Sequence, residues 1–353
     1  MAQQKKVRIL SLDGGGIRGI IPATIIQYAE AYLQKKRPGT TIADHFDFIA
    51  GTSTGGILTG IYLAPQKEDN TKAKFSATEA LKFYVDHGYD IFNASKISGL
   101  KRLWGLGSAV KFNPRNLEKL LHEKLGDLKM SELMKPCLIT TYNMAQKSSF
   151  FFTSIEDTAK REFFVHDVLR STSAAPTYFP PAKIKNLATG PQKETSCSSM
   201  INLDGGVFAN NPTMCAYAEA RNTNFKERAV NEPSATDMHI LSVGTGGGGF
   251  KIKNKEKSNR WNLLKWAQLI PDIMMDGSID TVAFQMSEIF QTLNASNAES
   301  YLRIDTPEED RKYSSDMSNA SPENIKQLVK AGEKTLEYAK SEGLDKFLDA
   351  LLD

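Results

Sequence analysis

Residues 46–60 read F-D-F-I-A-G-T-S-T-G-G-I-L-T-G, and the fold turns on how this stretch is read. Phe46, Phe48, Ile49 and Ala50 make a short apolar run of the kind that forms a buried strand, and the small residues after it suit a sharp turn into a helix. Ser53 stands at the centre of that turn, inside G-x-S-x-G. Gly51 and Gly55 have no Cβ, so the chain can fold tightly enough to hold the serine in a strained conformation with its hydroxyl exposed at the sheet edge. The amides that open the following helix point toward that hydroxyl, where they would stabilise a developing negative charge. This is the pattern of a nucleophile elbow. The motif is short enough to arise by chance; the strand before it and the helix start after it set it apart from a glycine-rich turn that serves packing alone.

Upstream, Val7–Leu12 reads as a strand that gives way to D-G-G-G-I-R-G at 13–19, and 20–36 reads as a helix with Ile21, Ile25, Tyr28 and Tyr32 at helical spacing. Strand, glycine loop, helix and strand form a βαβ unit. Its right-handed closure places Gly14, Gly15, Gly16, Arg18 and Gly19 on the same sheet edge as Ser53. Consecutive glycines aim several N–H groups into one small volume, which suits an oxyanion hole or a phosphate cradle, and Arg18 adds a cation. Gly14, Gly16 and Gly19 also satisfy G-x-G-x-x-G, but a dinucleotide fingerprint wants an acidic residue at the end of the next strand, where this chain has Ala50-Gly51.

Downstream, helices are expected over 76–92, 115–125, 165–174 and from Asn210-Asn211-Pro212 to 220, with strands at 137–142, 150–153, 200–203 and 238–243. The alternation predicts a three-layer α/β/α domain with a mainly parallel sheet over residues 1–250, and residues 251–353 as a mainly helical region packed on it. A balance of 44 basic and 41 acidic residues offers no global field for a nucleic-acid polymer. Cys137, Cys197 and Cys215 are odd in number and lack metal-ligand spacing, so reduced thiols and no metal are expected. The first residues lack the apolar stretch of a signal peptide, and no run is long enough to span a bilayer. Cytoplasmic residence is the expectation.

A serine nucleophile needs a base. A triad in the order serine, acid, histidine leaves only His239 after Asp204, and it falls inside a strand. A carboxylate held beside the hydroxyl does the same work, and Asp204 directly follows a strand, with Gly205 and Gly206 allowing the turn that faces it to the sheet edge. Asp-Gly is also a common turn pair, so both readings of Asp204 stand on these residues alone.

Taken together, D-G-G-G-I-R-G, G-T-S-T-G and D-G-G in this order resemble the patatin-like phospholipases, as do Ser173-Ala174-Ala175-Pro176, Tyr178-Phe179-Pro180-Pro181 and Asn210-Asn211-Pro212. The resemblance covers about the first two thirds of the chain. It implies the patatin-like fold, a Ser53–Asp204 dyad without histidine or cofactor, an oxyanion hole at Gly14, Gly15 and Gly16, and hydrolysis of membrane phospholipid esters. A silent binding module on the same scaffold is the alternative in another class.

A lipid substrate implies peripheral membrane contact, at the inner face for a cytoplasmic protein. Leu103, Trp104 and Leu106 beside Lys101 and Arg102, or the tail at 344–352, are candidates. Lys251, Lys253, Lys255, Lys257 and Arg260 beside Trp261 and Trp266 form a basic run that suits a phosphate-bearing ligand or a solvated loop. In overall build the chain is similar to the bacterial patatin-like effectors of anti-phage signalling, which implies a cyclic dinucleotide activator.

Overall fold

The computed structural model describes residues 5–92, 110–247, 263–293 and 299–352. In chain order its elements begin β1 (Val7–Leu12), a 3₁₀ turn (Gly16–Gly19), α1 (Ile20–Gln34), α2 (Ile42–His45), β2 (Phe48–Gly51), α3 (Thr54–Leu63), α4 (Ala77–Ile91) and α5 (Arg115–Leu125). There follow β3 (Cys137–Asn143), β4 (Ser148–Thr153), α6 (Val165–Thr172), β5 (Ala182–Lys185), β6 (Ser199–Asp204), α7 (Gly206–Ala209) and α8 (Thr213–Arg221). The small hairpin β7 (Asn224–Phe225) and β8 (Val230–Asn231), then β9 (Met238–Val243), α9 (Leu263–Gln291), β10 (Tyr301–Ile304), α10 (Pro322–Ser341) and α11 (Leu344–Ala350) complete it.

Local chemistry accounts for several boundaries. Ser76 caps α4 in a reciprocal capping box with Glu79, and Ser321 caps α10 with Pro322 in its first turn. Strands β1 and β2 are buried on both faces, as parallel strands covered by helices must be. Their side chains alternate: Val7, Ile9, Phe48 and Ala50 pack with residues of α8 and α9, while Leu10, Leu12 and Ile49 pack with those of α1, α3, α4 and α10. These are the three layers expected.

The sheet has eight strands in the order β10-β9-β1-β2-β3-β6-β5, with β4 paired to β3. Pairs from β10 to β3 are parallel; β4, β6 and β5 are added antiparallel. The C-terminal third therefore does more than pack helices on a finished domain, because β10 lies beside β9 as the sheet's edge strand. Strand β10 carries no motif and is only four residues long, which is why periodicity missed it.

One detail of register positions the site. On one edge of β3, Cys137, Leu138 and Ile139 pair with β2, and further along Thr141, Tyr142 and Asn143 pair with β6 running the other way. Strands β2 and β6 thus share one lane and meet end to end. Gly51 lies opposite Ile139 and Asp204 opposite Thr141, so the residues that leave β2 run into the end of β6.

Candidate active site

Ser53 takes φ 53° and ψ −118° at the head of α3, the strained backbone that the elbow requires. The glycines act here through close approach. A Cβ on Gly51 would stand 2.2 Å from the carbonyl oxygen of Gly55, and one on Gly55 would stand 2.1 Å from that of Leu12. Thr172, at the end of α6, accepts a hydrogen bond from the Ser53 amide at 2.8 Å and holds the turn from the other side.

Ser53 Oγ donates to Asp204 Oδ2 at 2.6 Å across a sequence separation of 151 residues. The other carboxylate oxygen accepts from the Gly206 amide at 2.7 Å. Gly205 adopts an ordinary helical conformation, so its glycine is not there to make a turn; a Cβ would lie 1.9 Å from Thr140 Oγ1. Asp204 is buried, and among the described residues no cation pairs with it. Burial raises its pKa to about 7, against the opposing hydrogen bonds from Ser53 and Gly206. A carboxylate poised near neutrality beside a serine hydroxyl can act as a general base.

The glycine loop approaches from β1. Of the three amides expected to form the oxyanion hole, that of Gly14 donates instead to the carbonyl of Asn210 at 2.9 Å, which leaves Gly15 and Gly16. Gly16 has φ +60°, and a Cβ there would meet the Met317 carbonyl oxygen at 2.3 Å. Gly15 leaves no room for a Cβ beside Thr245 Oγ1, and that hydroxyl donates to the Gly14 carbonyl at 2.7 Å. Arg18 and Gly19 belong to the 3₁₀ turn, with Arg18 nearly buried and its Nε without a hydrogen-bond partner in the structure.

The base of this loop is anchored by a residue with no motif around it. Arg303 on β10 donates to both oxygens of the fully buried Asp13, at 3.0 and 2.6 Å, and to Ser242 at 2.9 Å. Burial raises Asp13 to about 6 although the Arg303 charge opposes it. An apolar recess opens beside Ser53, lined by Ile57, Tyr84, Ile91, Leu117, Phe179 and Met317, and it suits an acyl chain. No histidine lines it among the described residues. His239 sits near the start of β9 opposite Arg8, at the other end of the sheet, at least about 13 Å of strand rise from the elbow.

The family profile "Patatin-like phospholipase" matches residues 10–217, more than half of the chain, and spans the glycine loop, the elbow and Asp204. The chain belongs to the patatin-like phospholipase family. It is 34% identical to Patatin-like protein 2 of Oryza sativa subsp. indica over 94% of this chain and 84% of that protein. With Patatin-like protein 2 of Arabidopsis thaliana it shares 35% identity over 94% of this chain and 83% of the other. Human GIVD cytosolic phospholipase A2 overlays with a TM-score of 0.47 at 12% identity, covering 99% of this chain and 60% of that one. As a member of the patatin-like phospholipase family the protein is a lipid ester hydrolase with a serine nucleophile.

In this patatin-like protein the motif residues converge, while other expectations fall elsewhere. The tail residues Leu344, Phe347, Leu348 and Leu351 are buried, so they are core and not an interface. Residues 101–106 and the basic run from Lys251 to Trp261 lie outside the described residues; Trp266, at the start of α9, is described and exposed. Thr172, Thr245 and Arg303 escaped sequence reasoning because each acts through a contact between segments far apart in the chain.

Proposed function

We propose that the protein is a phospholipase A-type acyl hydrolase with Ser53 as nucleophile and Asp204 as base. The reading rests on the 2.6 Å contact between Ser53 Oγ and Asp204 Oδ2. Asp204 takes the hydroxyl proton as Ser53 Oγ attacks the ester carbonyl, and the carbonyl electron pair moves onto oxygen. The Gly15 and Gly16 amides receive that oxyanion. Collapse of the tetrahedral intermediate breaks the ester bond; the departing lysolipid alcohol takes the proton from Asp204, and the acyl group remains on Ser53. Water, losing a proton to Asp204, attacks the acyl-enzyme, the fatty acid leaves, and Ser53 recovers its proton.

The substrate reaches the site by peripheral contact with a bilayer; among the described residues no helix is long and apolar enough to cross one. Helix α9 supports this reading. Trp266, Ile270, Ile273 and Met274 are exposed on it at helical spacing, and Ser278 further along accepts a hydrogen bond from the Asn210 amide at 3.3 Å, close to the site. Activation by a cyclic dinucleotide is a separate proposal, supported by the basic sequence 251–260 alone.

The test is hydrolysis of phospholipid vesicles and of a soluble short-chain ester by the purified protein. Ser53→Ala is expected to abolish both activities. Ile270→Ser with Met274→Ser is expected to reduce vesicle hydrolysis and spare the soluble ester; equal loss on both substrates removes α9 from the interface. Activity surviving Ser53→Ala, or unaffected by Asp204→Asn, overturns the dyad.

A further inference from the structure

Away from the catalytic centre, α5 and α6 face each other through two rungs one helical turn apart. In the first, Arg170 Nε donates to Glu118 Oε1 at 3.0 Å. The second rung, four residues along each helix, holds two imidazoles, His122 and His166, with ring centroids 5.3 Å apart. Asp127 completes the cluster, its Oδ1 lying 3.6 Å from His122 Nε2. We propose that His122, Asp127 and His166 form a zinc site that clamps α5 to α6.

The backbone brings these donors together from three separate segments. Helix α5 ends at Gly126, whose φ of 58° reverses the chain so that Asp127 returns beside the last turn; the Gly126 amide donates to the His122 carbonyl at 2.7 Å. The next residues are tied to the start of α6, with the Val165 amide on the Leu128 carbonyl at 2.8 Å and the Met130 amide on the Phe163 carbonyl at 3.0 Å. The position of Asp127 relative to His166 is therefore set by backbone hydrogen bonds.

The side chains are prepared in the same sense. The His166 ring stacks on Phe164 at 15° with centroids 5.2 Å apart, which limits its orientation. Asp167 Oδ1 lies 3.2 Å from His166 Nδ1, close enough for the carboxylate to orient the ring with Nε2 turned toward a metal. One donor atom from each of the three residues lies within 4.8 Å of the other two. Zinc bound at about 2.0–2.1 Å needs donors roughly 3.4 Å apart, and small rotations of the exposed His122 and Asp127 side chains close that gap. Two imidazoles and a carboxylate suit zinc and leave the fourth position to water. His166 precedes Thr172 by six residues, about 9 Å of helix rise, so the metal would act on the wall of the recess and not on the reacting atoms.

The full-length protein, stripped with a chelator and titrated with zinc chloride, is expected to bind one equivalent by calorimetry and to rise in melting temperature. The imidazole NMR signals of His122 and His166 should shift, and those of the other three histidines should not. His122→Ala with His166→Ala is expected to abolish this equivalent, Asp167→Asn to weaken it about tenfold or more, and His87→Ala to leave it intact. Should the double variant unfold, Asp127→Asn carries the same test on an exposed side chain. Absence of zinc uptake, undiminished uptake in the variants, or shifts centred on other histidines would overturn the site.

Discussion

Strand β2 begins beside one buried aspartate and ends facing another, and the two have opposite fates. Asp47, before its first residue, is gripped by Arg8, which donates from its amide and side chain, and by Arg228 at 2.9 Å. Arg8 also donates to the Leu351 carbonyl at 2.9 Å, so this end of the sheet ties the N-terminal strand to the last helix. Asp204, at the other end, meets only a hydroxyl and an amide among the described residues, and burial lifts it to about 7. Asp13 stands between these cases, buried like Asp204 but paired with Arg303. Burial is common to all three; the cation decides whether the carboxylate anchors the fold or remains available for proton transfer.

The largest expected effect is on Asp204. Asp204→Asn should lower acyl transfer by at least about 10³-fold while preserving the fold. It should also stabilise the protein above neutrality. Because the folded pKa lies above the ordinary carboxyl value of 3.8, the cost of ionising Asp204 in the folded state develops as pH rises from there to about 7 and then stays constant. Removing it is expected to gain up to about 4 kcal/mol at pH 8 and nothing below pH ~4, read from urea midpoints at both pH values. The same substitution destabilising the protein at pH 8 would break the comparison.

Asp13 provides the intermediate case. Arg303→Gln leaves a fully buried carboxylate without its cation and should cost about 3–5 kcal/mol. Because Asp13 opens the glycine loop, kcat should fall more than KM rises. At the opposite end, Arg228→Ala removes one of two partners of Asp47 and should cost about 1.5–3 kcal/mol with kcat unchanged in the folded fraction. A kcat loss as deep as that of Arg303→Gln would mean the two sheet ends are not independent.

Two pH effects separate the ends further. Activity should rise with pH through about 7 as Asp204 loses its proton, measured as kcat/KM on a soluble ester. Stability should instead fall at acid pH because of the far end. His45 and His239 are both pushed down to about 4, chiefly by burial. Their neutral forms contribute stability above the unfolded value of 6.5, and it is lost as pH falls from there toward 4. His239→Gln should lessen that acid slope and leave the activity profile in place; loss of activity would return His239 to the mechanism. The activator proposal stands apart from both ends: a cyclic dinucleotide is expected to stimulate a weak basal activity strongly, and equal rates across a panel of such ligands would dismiss it.

The residues that had to sit close in sequence were legible in it. G-T-S-T-G specified an elbow because Gly51 and Gly55 must touch backbone within a few residues or across the neighbouring strand, and D-G-G-G-I-R-G specified a glycine loop at the same sheet edge. Asp204 could be singled out as a candidate base, yet not separated from a turn aspartate by its neighbours alone. What the tertiary structure decided was pairing between distant segments. The shared lane of β2 and β6 brings Ser53 to Asp204, Asn210 takes the Gly14 amide out of the expected oxyanion set, and a four-residue strand near the C-terminus supplies the cation for Asp13. Strand register and charge pairing across such separations depend on how the layers pack, and no local pattern of residue types encodes them.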